Sequence, residues 1–217
     1  MISVSGKIWT QQKVNKNLVE KAKQDYGLGD FLSQLIISKN YDISEIYGIH
    51  NNQKLTNIFK DDKDYQKASL IILNSINNNE NICILGDYDV DGACATSLLV
   101  RYFIHINQKH YFYIPDRVAD GYGASKKLFQ KLILKKPKLV IMVDCGSTSN
   151  EAIDYLNKHN IKSIIIDHHE INKPYPKSDA IINPKKEFIK KESSLLCATA
   201  LTYFFIDILI KKTKSNF

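Results

Sequence analysis

The second half of the sequence alternates short, continuously apolar segments with longer segments that have helical spacing. From about Asn81, the segments "NICILG", "HYFYIP", "KLVIMVD" and "IKSIIID" are separated by "GACATSLLVRYFI", "ASKKLFQKLILKK" and "SNEAIDYLNKHN", and "DAIIN" offers a possible fifth strand. Strands that are apolar on both faces are typical of a parallel sheet covered by helices on both sides. The sequence therefore predicts an α/β fold with a doubly wound, mostly parallel sheet.

The first part of the chain has a different pattern, which favours helices. "NLVEKAKQDYG" ends at Gly27, a suitable helix stop, and "DFLSQLIISKN" offers Asp30 as an N-cap. "DKDYQKASLIILNSINNN" has an apolar face at helical spacing, formed by Tyr65, Ala68, Ile72 and Ile76. We expect residues 1–60 to form a helical N-terminal segment and residues 61–217 to form the α/β domain.

Composition limits the class of protein less than the pattern does. A chain of 217 residues can hold one sizeable α/β core. The net charge of +7 favours acidic partners such as nucleic acid. The chain is also rich in Lys, Asn and Ile, and such a composition raises the isoelectric point without any binding role. Both interpretations of the charge stay open.

The cysteines and the apolar segments predict a cytoplasmic protein. Cys83, Cys94, Cys145 and Cys197 show no CxxC pairing, so we expect buried free thiols and no structural zinc site. The N-terminus has no apolar core of signal-peptide length, and the apolar helix predicted from Leu195 to Ile210 is short and contains Asp207. We expect no membrane partner.

Acidic and imidazole groups follow three of the predicted strands. In an open parallel sheet, ligands bind beyond the carboxyl ends of the strands. "ILGDYDVDG", "IMVDCGSTS" and "IIIDHHEI" all end at that edge, so their polar side chains should converge there: Asp87, Asp89, Asp91, Asp144, Asp167, His168 and His169. Oxygen ligands with one or two imidazoles suit one or two divalent ions of the Mg²⁺ or Mn²⁺ type.

A single Asp after a strand is more often a helix cap than a metal ligand. Three such motifs at successive strand ends are harder to explain by capping, because clustered carboxylates repel one another unless a cation lies among them. Gly86 and Gly92 bracket the acidic loop, residues 87–91, but the sequence has neither a G-x-G-x-x-G fingerprint nor a G-K-[ST] phosphate loop. This favours metal-assisted phosphoryl chemistry over binding of a nucleotide cofactor.

Three segments resemble the first three motifs of the DHH phosphoesterase superfamily, both in their order along the chain and in the strands that they follow: "GDYDVDG", "VDCGSTS" and "IDHHE". "YIPDRVADGYG", "AIINPK" and "SSLLCATALTYFFI" are similar to segments of its RecJ branch, which comprises single-strand-specific 5′→3′ DNA exonucleases. The resemblance covers the chain from about Leu55 to its end. It implies an enzyme that hydrolyses phosphodiester bonds in single-stranded DNA during DNA repair and recombination, with Mn²⁺ or Mg²⁺ as cofactor, two ions being expected.

The resemblance also implies a role for each matching residue. Asp87, Asp89, Asp91, Asp144 and His168 would hold metal, with Asp144 between two ions. His169 would face the scissile phosphate, and Asp167 would orient its neighbours without touching the metal. Arg117 and Gly121, in the loop after the second strand, would contact substrate, with Arg117 binding a phosphate. A solvated surface arginine is the alternative for Arg117.

One departure from the family pattern affects these expectations. The superfamily has a fourth acidic motif after the helix that begins near Ser193, and no such segment appears before Phe217. We therefore expect the N-terminal portion of a longer protein, possible inactivity of the chain alone, and an exposed apolar patch on the helix 195–210. Three alternatives stay open: a DHH enzyme that cleaves short oligonucleotides or cyclic dinucleotides, a DHH pyrophosphatase, and a non-catalytic scaffold that binds single-stranded DNA.

Overall fold

The computed structural model describes residues 4–8, 10, 12–41, 56–121, 123–186 and 191–217. The chain divides into two compact units, residues 1–56 and residues 57–217. Residues 42–55, which belong to the predicted helical segment, lie outside the described residues.

The first unit contains two helices, α1 (Lys16–Tyr26) and α2 (Asp30–Ser38). The Asn15 side chain caps α1, and Gly27 ends it with φ of 63°, which confirms the predicted helix stop. Asp30 was predicted as the N-cap of α2, and this was wrong by one residue. Gly29 is the N-cap and Asp30 lies in the first turn, where its carboxylate is favoured by the helix dipole.

The second unit is built on five strands and five α-helices within its described residues. The strands are β1 (Ile82–Leu85), β2 (His110–Tyr113), β3 (Leu139–Val143), β4 (Lys162–Ile166) and β5 (Ala180–Ile182). The helices are α3 (Lys63–Asn77), α4 (Val90–His105), α5 (Lys126–Leu132), α6 (Asn150–Lys158) and α7 (Ala198–Thr213), with short 3₁₀ helices at Ile133–Lys135 and Lys191–Leu195.

All neighbouring strands pair in parallel, in the order β2-β1-β3-β4-β5. Leu85, the last residue of β1, lies opposite Tyr113 of β2 and Met142 of β3. The chain adds β2 on one side of β1 and then β3 on the other side, so the direction of strand addition reverses between β1 and β3. Doubly wound sheets bind ligands in the crevice at such a switch point. The predicted parallel α/β fold is confirmed.

The sheet is buried on both faces because alternate strand residues pack against different helices. On one face, Ile82, Ile84 and Ile141 pack in a core with residues of α3, α4 and α7. On the other face, Leu85 and Met142 pack with residues of α5 and α6. The central strands β1 and β3 are apolar throughout because helices cover both of their faces, whereas the edge strand β2 is only partly buried and exposes Phe112.

Helix α7 begins three residues later than the predicted start at Leu195. It buries much of its length, and Phe205 and Leu209 are fully buried in the core shared with α3 and α4. The expected apolar patch is therefore not found along this core-facing side of α7. Tyr203 and the preceding Leu195 remain exposed.

The prediction of four buried thiols holds for only two cysteines. Cys83 and Cys145 are buried at the sheet, whereas Cys94 on α4 and Cys197 at the start of α7 are exposed, and all four are free. Cys94 lies on the solvent-facing side of α4 because of its position in the helical repeat. Its small, apolar neighbours in the sequence did not indicate this exposure.

Candidate metal centre

The acidic loop and Asp144 meet because they follow the neighbouring strands β1 and β3. Asp89 caps α4, with its side chain accepting a hydrogen bond from the Gly92 backbone N–H at 2.9 Å. This cap starts α4 inside the acidic loop, at Val90, and places Asp91 in the first helical turn. Asp89 is exposed, Asp91 is half-buried, and Asp87 is 2% exposed.

Asp144 is the most unusual carboxylate in the described part of the chain. It is 1% exposed, and neither of its oxygens has a hydrogen-bond partner among the described residues. Its backbone has φ of 60°, a left-handed conformation that few non-glycine residues adopt, and here it lies after strand β3 and not at the end of a helix. Burial, followed by the charges of Asp91 and Asp89, raises the pKa of Asp144 to about 8. A carboxylate in this setting needs a positive partner to remain ionised near neutral pH.

Asp144 belongs to two groups of side chains that could each hold a metal ion. One group is Asp87, Asp89 and Asp144, and the other is Asp144, His168 and His169. Within each group the candidate ligand atoms all lie within 4.8 Å of one another. Burial also raises the pKa of Asp87, and its Oδ1 has no hydrogen-bond partner in the described structure. Oxygen donors with an imidazole fit Mn²⁺ or Mg²⁺, and Asp144 is the residue that the two groups share.

Asp91 connects this centre to α7. Its Oδ2 accepts a hydrogen bond from the Ala198 N–H and its Oδ1 accepts one from the Thr199 N–H, both at 2.8 Å. Asp91 Oδ2 also lies 3.6 Å from His168 Nε2, which is 3.2 Å from Asp144 Oδ1. Burial alone would raise the pKa of Asp91, but the hydrogen bonds from Thr199, Ala198 and neighbouring groups outweigh it and hold the pKa below its usual value. Asp91 is therefore a helix cap as well as a candidate ligand.

Asp167 holds His169 in a fixed orientation. Asp167 Oδ1 accepts hydrogen bonds from the His169 backbone N–H at 3.2 Å and from the ring Nδ1 at 2.7 Å. Asp167 Oδ2 accepts one from the Ser147 N–H at 3.0 Å. Burial opposes ionisation of Asp167, yet these hydrogen bonds keep its pKa below the usual range. Because the carboxylate accepts from Nδ1–H, the neutral His169 ring carries its lone pair on Nε2.

The two predicted substrate residues lie in the loop after β2. The Arg117 guanidinium lies over the Tyr88 ring, 5.2 Å from its centroid, which places this loop beside the acidic loop. Gly121 adopts φ of 81°, a left-handed conformation that suits glycine. The structure thus brings Arg117 next to Tyr88 of the acidic loop, while no described contact assigns Gly121 a role.

Two glycines allow the acidic loop to pack this closely. A Cβ atom on Gly92 would lie 2.7 Å from the backbone N and O of Asp87, and one on Gly86 would lie 2.1 Å from Thr96 Oγ1. At Gly92 the clash is with backbone atoms, which cannot move without reshaping the loop, so this position requires glycine. At Gly86 the clash is with a side-chain hydroxyl, so a substitution there would require Thr96 to move.

An open cleft of about 380 Å³ adjoins the centre. Asp167 and His169 line one side, and Ser147, Ser149 and Lys126 are among the other lining residues. The cleft opens at the same carboxyl edge of the sheet and offers polar space beside the candidate ligands.

Several residues that build the centre were not predicted as site residues. Asn183 donates hydrogen bonds to Ser147 Oγ at 2.8 Å and to the His169 carbonyl at 2.9 Å. It follows β5, so the same rule that found the other strand ends could have found it. The contact of Thr199 with Asp91 joins residues far apart in sequence, and no local pattern indicates it.

Residues 81–216 match the DHH family, N-terminal domain. The match covers more than half of the chain, and the chain belongs to this family.

The curated proteins to which the chain is similar include exonucleases of the RecJ branch. The chain is 27% identical over 180 residues to the single-stranded-DNA-specific exonuclease RecJ of Bacillus subtilis, covering 82% of this chain and 23% of the relative. It is 28% identical over 142 residues to RecJ of Escherichia coli, covering 65% of this chain and 25% of the relative. The chain thus spans about a quarter of the length of these relatives.

Solved structures support the fold. A manganese-bound exonuclease RecJ superposes with a TM-score of 0.67 at 24% identity, covering 74% of this chain and 40% of that one. RecJ of Thermus thermophilus in complex with Mn²⁺ gives a TM-score of 0.64 at 17% identity, covering 93% of this chain and 28% of that one. Among the described residues, no helix combines the length and apolarity needed to cross a membrane.

Proposed function

We propose that this chain forms the metal-holding part of a nuclease that hydrolyses phosphodiester bonds in single-stranded DNA. The observation that carries the proposal is Asp144, buried, in a left-handed conformation, without hydrogen-bond partners for either oxygen in the described structure, and common to both candidate ligand groups. Such a carboxylate is costly in a metal-free protein and useful in a metal-bound one. The RecJ relatives, named as exonucleases specific for single-stranded DNA, supply the substrate class.

The proposed ligands form two overlapping sets. Asp87, Asp89 and Asp144 would hold one Mn²⁺ or Mg²⁺. Asp144 and His168 would hold the other, with Asp91, 3.6 Å from His168, taking the place of His169 in the second ligand group. Asp91 can do this while capping α7, because each oxygen that accepts one backbone hydrogen bond retains a second lone pair. Divalent ions of this type supply a Lewis acid that polarises the phosphate and activates water for attack.

The other residues act on the substrate through hydrogen bonds. His169, whose Nδ1 lies 2.7 Å from Asp167 and 3.9 Å from Asp144, would use its Nε2 to contact an oxygen of the scissile phosphate or to exchange a proton with it. Arg117, beside the acidic loop, would bind a neighbouring phosphate with its guanidinium donors. Gly121, which has no side chain, would allow the DNA strand to approach the backbone of the loop that follows β2. In this proposal the 5′→3′ polarity and the role in repair and recombination rest on the relatives.

The test is hydrolysis of 5′- and 3′-labelled single-stranded DNA with Mn²⁺ or Mg²⁺, run beside Asp144→Asn. Metal-dependent release of mononucleotides from the 5′ end, lost in the variant, is the expected result. Cleavage only of dinucleotides or cyclic dinucleotides would move the substrate class to the alternative within the same family. DNA binding without cleavage, unaffected by metal and by Asp144→Asn, would overturn the proposal in favour of a non-catalytic scaffold.

A further inference from the structure

Arginine is rare in this protein. The sequence has only two, Arg101 and Arg117, among 30 Lys and Arg residues, so lysine serves almost every position where a positive charge is enough. A guanidinium differs from an ammonium in stacking on aromatic faces and in presenting planar, paired donors to phosphate. Arg117 makes a cation–π contact with such a face, since its guanidinium carbon lies over the Tyr88 ring, 5.2 Å from the centroid.

The loop that carries Arg117 is held by its own carboxylates. Asp116 Oδ1 accepts hydrogen bonds from the Val118 and Ala119 N–H groups, both at 2.8 Å. Asp120, at the other end of the turn, accepts hydrogen bonds from the Tyr113 hydroxyl and from Lys131 Nζ. The hydrogen bonds to Asp116 and Asp120 come from groups other than Arg117. Arg117 is exposed and, in the described structure, makes no ion pair with a carboxylate.

Tyr88 is placed where it can direct this arginine. It lies between Asp87 and Asp89, two of the candidate ligands, and its ring is partly exposed. The loops after β1 and β2 start from adjacent points, because the Gly86 N–H donates to the Tyr113 carbonyl at 3.0 Å. A guanidinium stacked on a ring keeps its in-plane N–H donors directed outward.

We infer that Tyr88 is a positioning residue that holds Arg117 beside the metal centre, with the guanidinium donors presented to a phosphate of the bound strand. The inference rests on the proposed function for the identity of the ligand. The Tyr88–Arg117 contact itself does not depend on DNA, so the two can be tested separately. The contact is with the ring, since the guanidinium carbon lies over it, 5.2 Å from the centroid.

The first experiment measures DNA binding. A short 5′-phosphorylated oligothymidylate with a 3′ fluorophore is titrated by anisotropy at several salt concentrations, with Mg²⁺ and with EDTA. We expect Tyr88→Leu to weaken binding about 2- to 5-fold, the range of an exposed cation–π contact, and Tyr88→Phe to match the wild type. Arg117→Gln should weaken binding and reduce the salt slope by about 1. Tyr88→Leu should then have no further effect in the Arg117→Gln background.

The second experiment measures the contact without DNA. Phenylglyoxal modifies accessible guanidinium groups, and mass spectrometry can follow both arginines, with Arg101, exposed on α4, as the internal control. We expect Arg117 to react about 2- to 5-fold faster in Tyr88→Leu, with Tyr88→Phe and Arg101 unchanged.

The results of the two experiments distinguish the positioning role of Tyr88 from the proposed function of the chain. Faster Arg117 modification in Tyr88→Leu without DNA binding by any variant would uphold the positioning of Arg117 and reject the proposed function. Unchanged Arg117 modification in Tyr88→Leu, or an equal effect of Tyr88→Leu on DNA binding with and without Arg117, would overturn the inference. A loss in Tyr88→Phe as large as in Tyr88→Leu would do the same, since it would assign the effect to the hydroxyl.

Discussion

Replacing Asp144 by Asn should stabilise the metal-free protein while abolishing its response to metal. Asn has nearly the shape of Asp but no ionisable group, so it removes the cost of keeping the buried carboxyl protonated near neutral pH and, above its pKa, the repulsion with Asp91 and Asp89. Most changes at a buried polar position destabilise a protein. A gain in stability would therefore be specific to a site built for a cation.

The pKa of Asp144 sets the size of the effect. It rises from 3.8 to about 8 on folding, so the folded state binds a proton that the unfolded state releases between these values. Stability of the metal-free protein must then fall as pH increases from about 4 to about 8. At pH 7 the loss amounts to about 4 kcal/mol, about three pH units at roughly 1.4 kcal/mol each, as an upper limit. The raised pKa of Asp87 acts in the same direction, whereas Asp91 and Asp167, whose pKa values are lowered, stay ionised above pH 5 and add no slope.

The assay is urea unfolding in EDTA and in Mn²⁺ between pH 5 and 8. In EDTA, wild-type stability should decrease with pH, and Asp144→Asn should be more stable at pH 7 with a flatter profile. In Mn²⁺, the wild type should gain stability with metal concentration and the variant should not. Asp154→Asn, an exposed change on α6, is the matched control and should stay within about 0.5 kcal/mol of wild type. A variant less stable than wild type in EDTA at pH 7, or a flat wild-type profile, would refute the reasoning.

Three further changes test the rest of the centre. Gly92→Ala should lower the free energy of unfolding by about 1–3 kcal/mol and abolish stabilisation by Mn²⁺, because the new Cβ would lie 2.7 Å from the backbone of Asp87. Urea unfolding with and without metal measures both effects. Asp167→Asn should lower the rate of DNA hydrolysis about 10- to 100-fold, since it weakens the hydrogen bond that orients His169, with metal affinity from calorimetry much less affected. Phe205→Ala, at a fully buried position of α7, should lower the free energy of unfolding by about 3–5 kcal/mol. At temperatures where the variant is folded it should keep its Mn²⁺ affinity, and loss of that affinity would contradict a purely structural role for Phe205.

The sequence determined the fold and the location of the site because both follow from short-range pattern. Continuous apolar segments between helices predicted the five strands, and each one is observed. The rule that parallel strands end at one edge then brought Asp87, Asp144 and His168 together, as the structure has them. Neither step needed any knowledge of distant contacts.

Only the tertiary structure decided how the site is held. Three kinds of contact join separate elements: the hydrogen bonds from the start of α7 to Asp91, the hydrogen bond of Asn183 with Ser147, and the cation–π contact of Arg117 with Tyr88. The burial of Asp144 without hydrogen-bond partners in the described structure, which raises its pKa, is also a property of the surrounding elements. Such contacts leave no periodic trace in a single sequence, because they depend on how helices and loops pack after the sheet has formed.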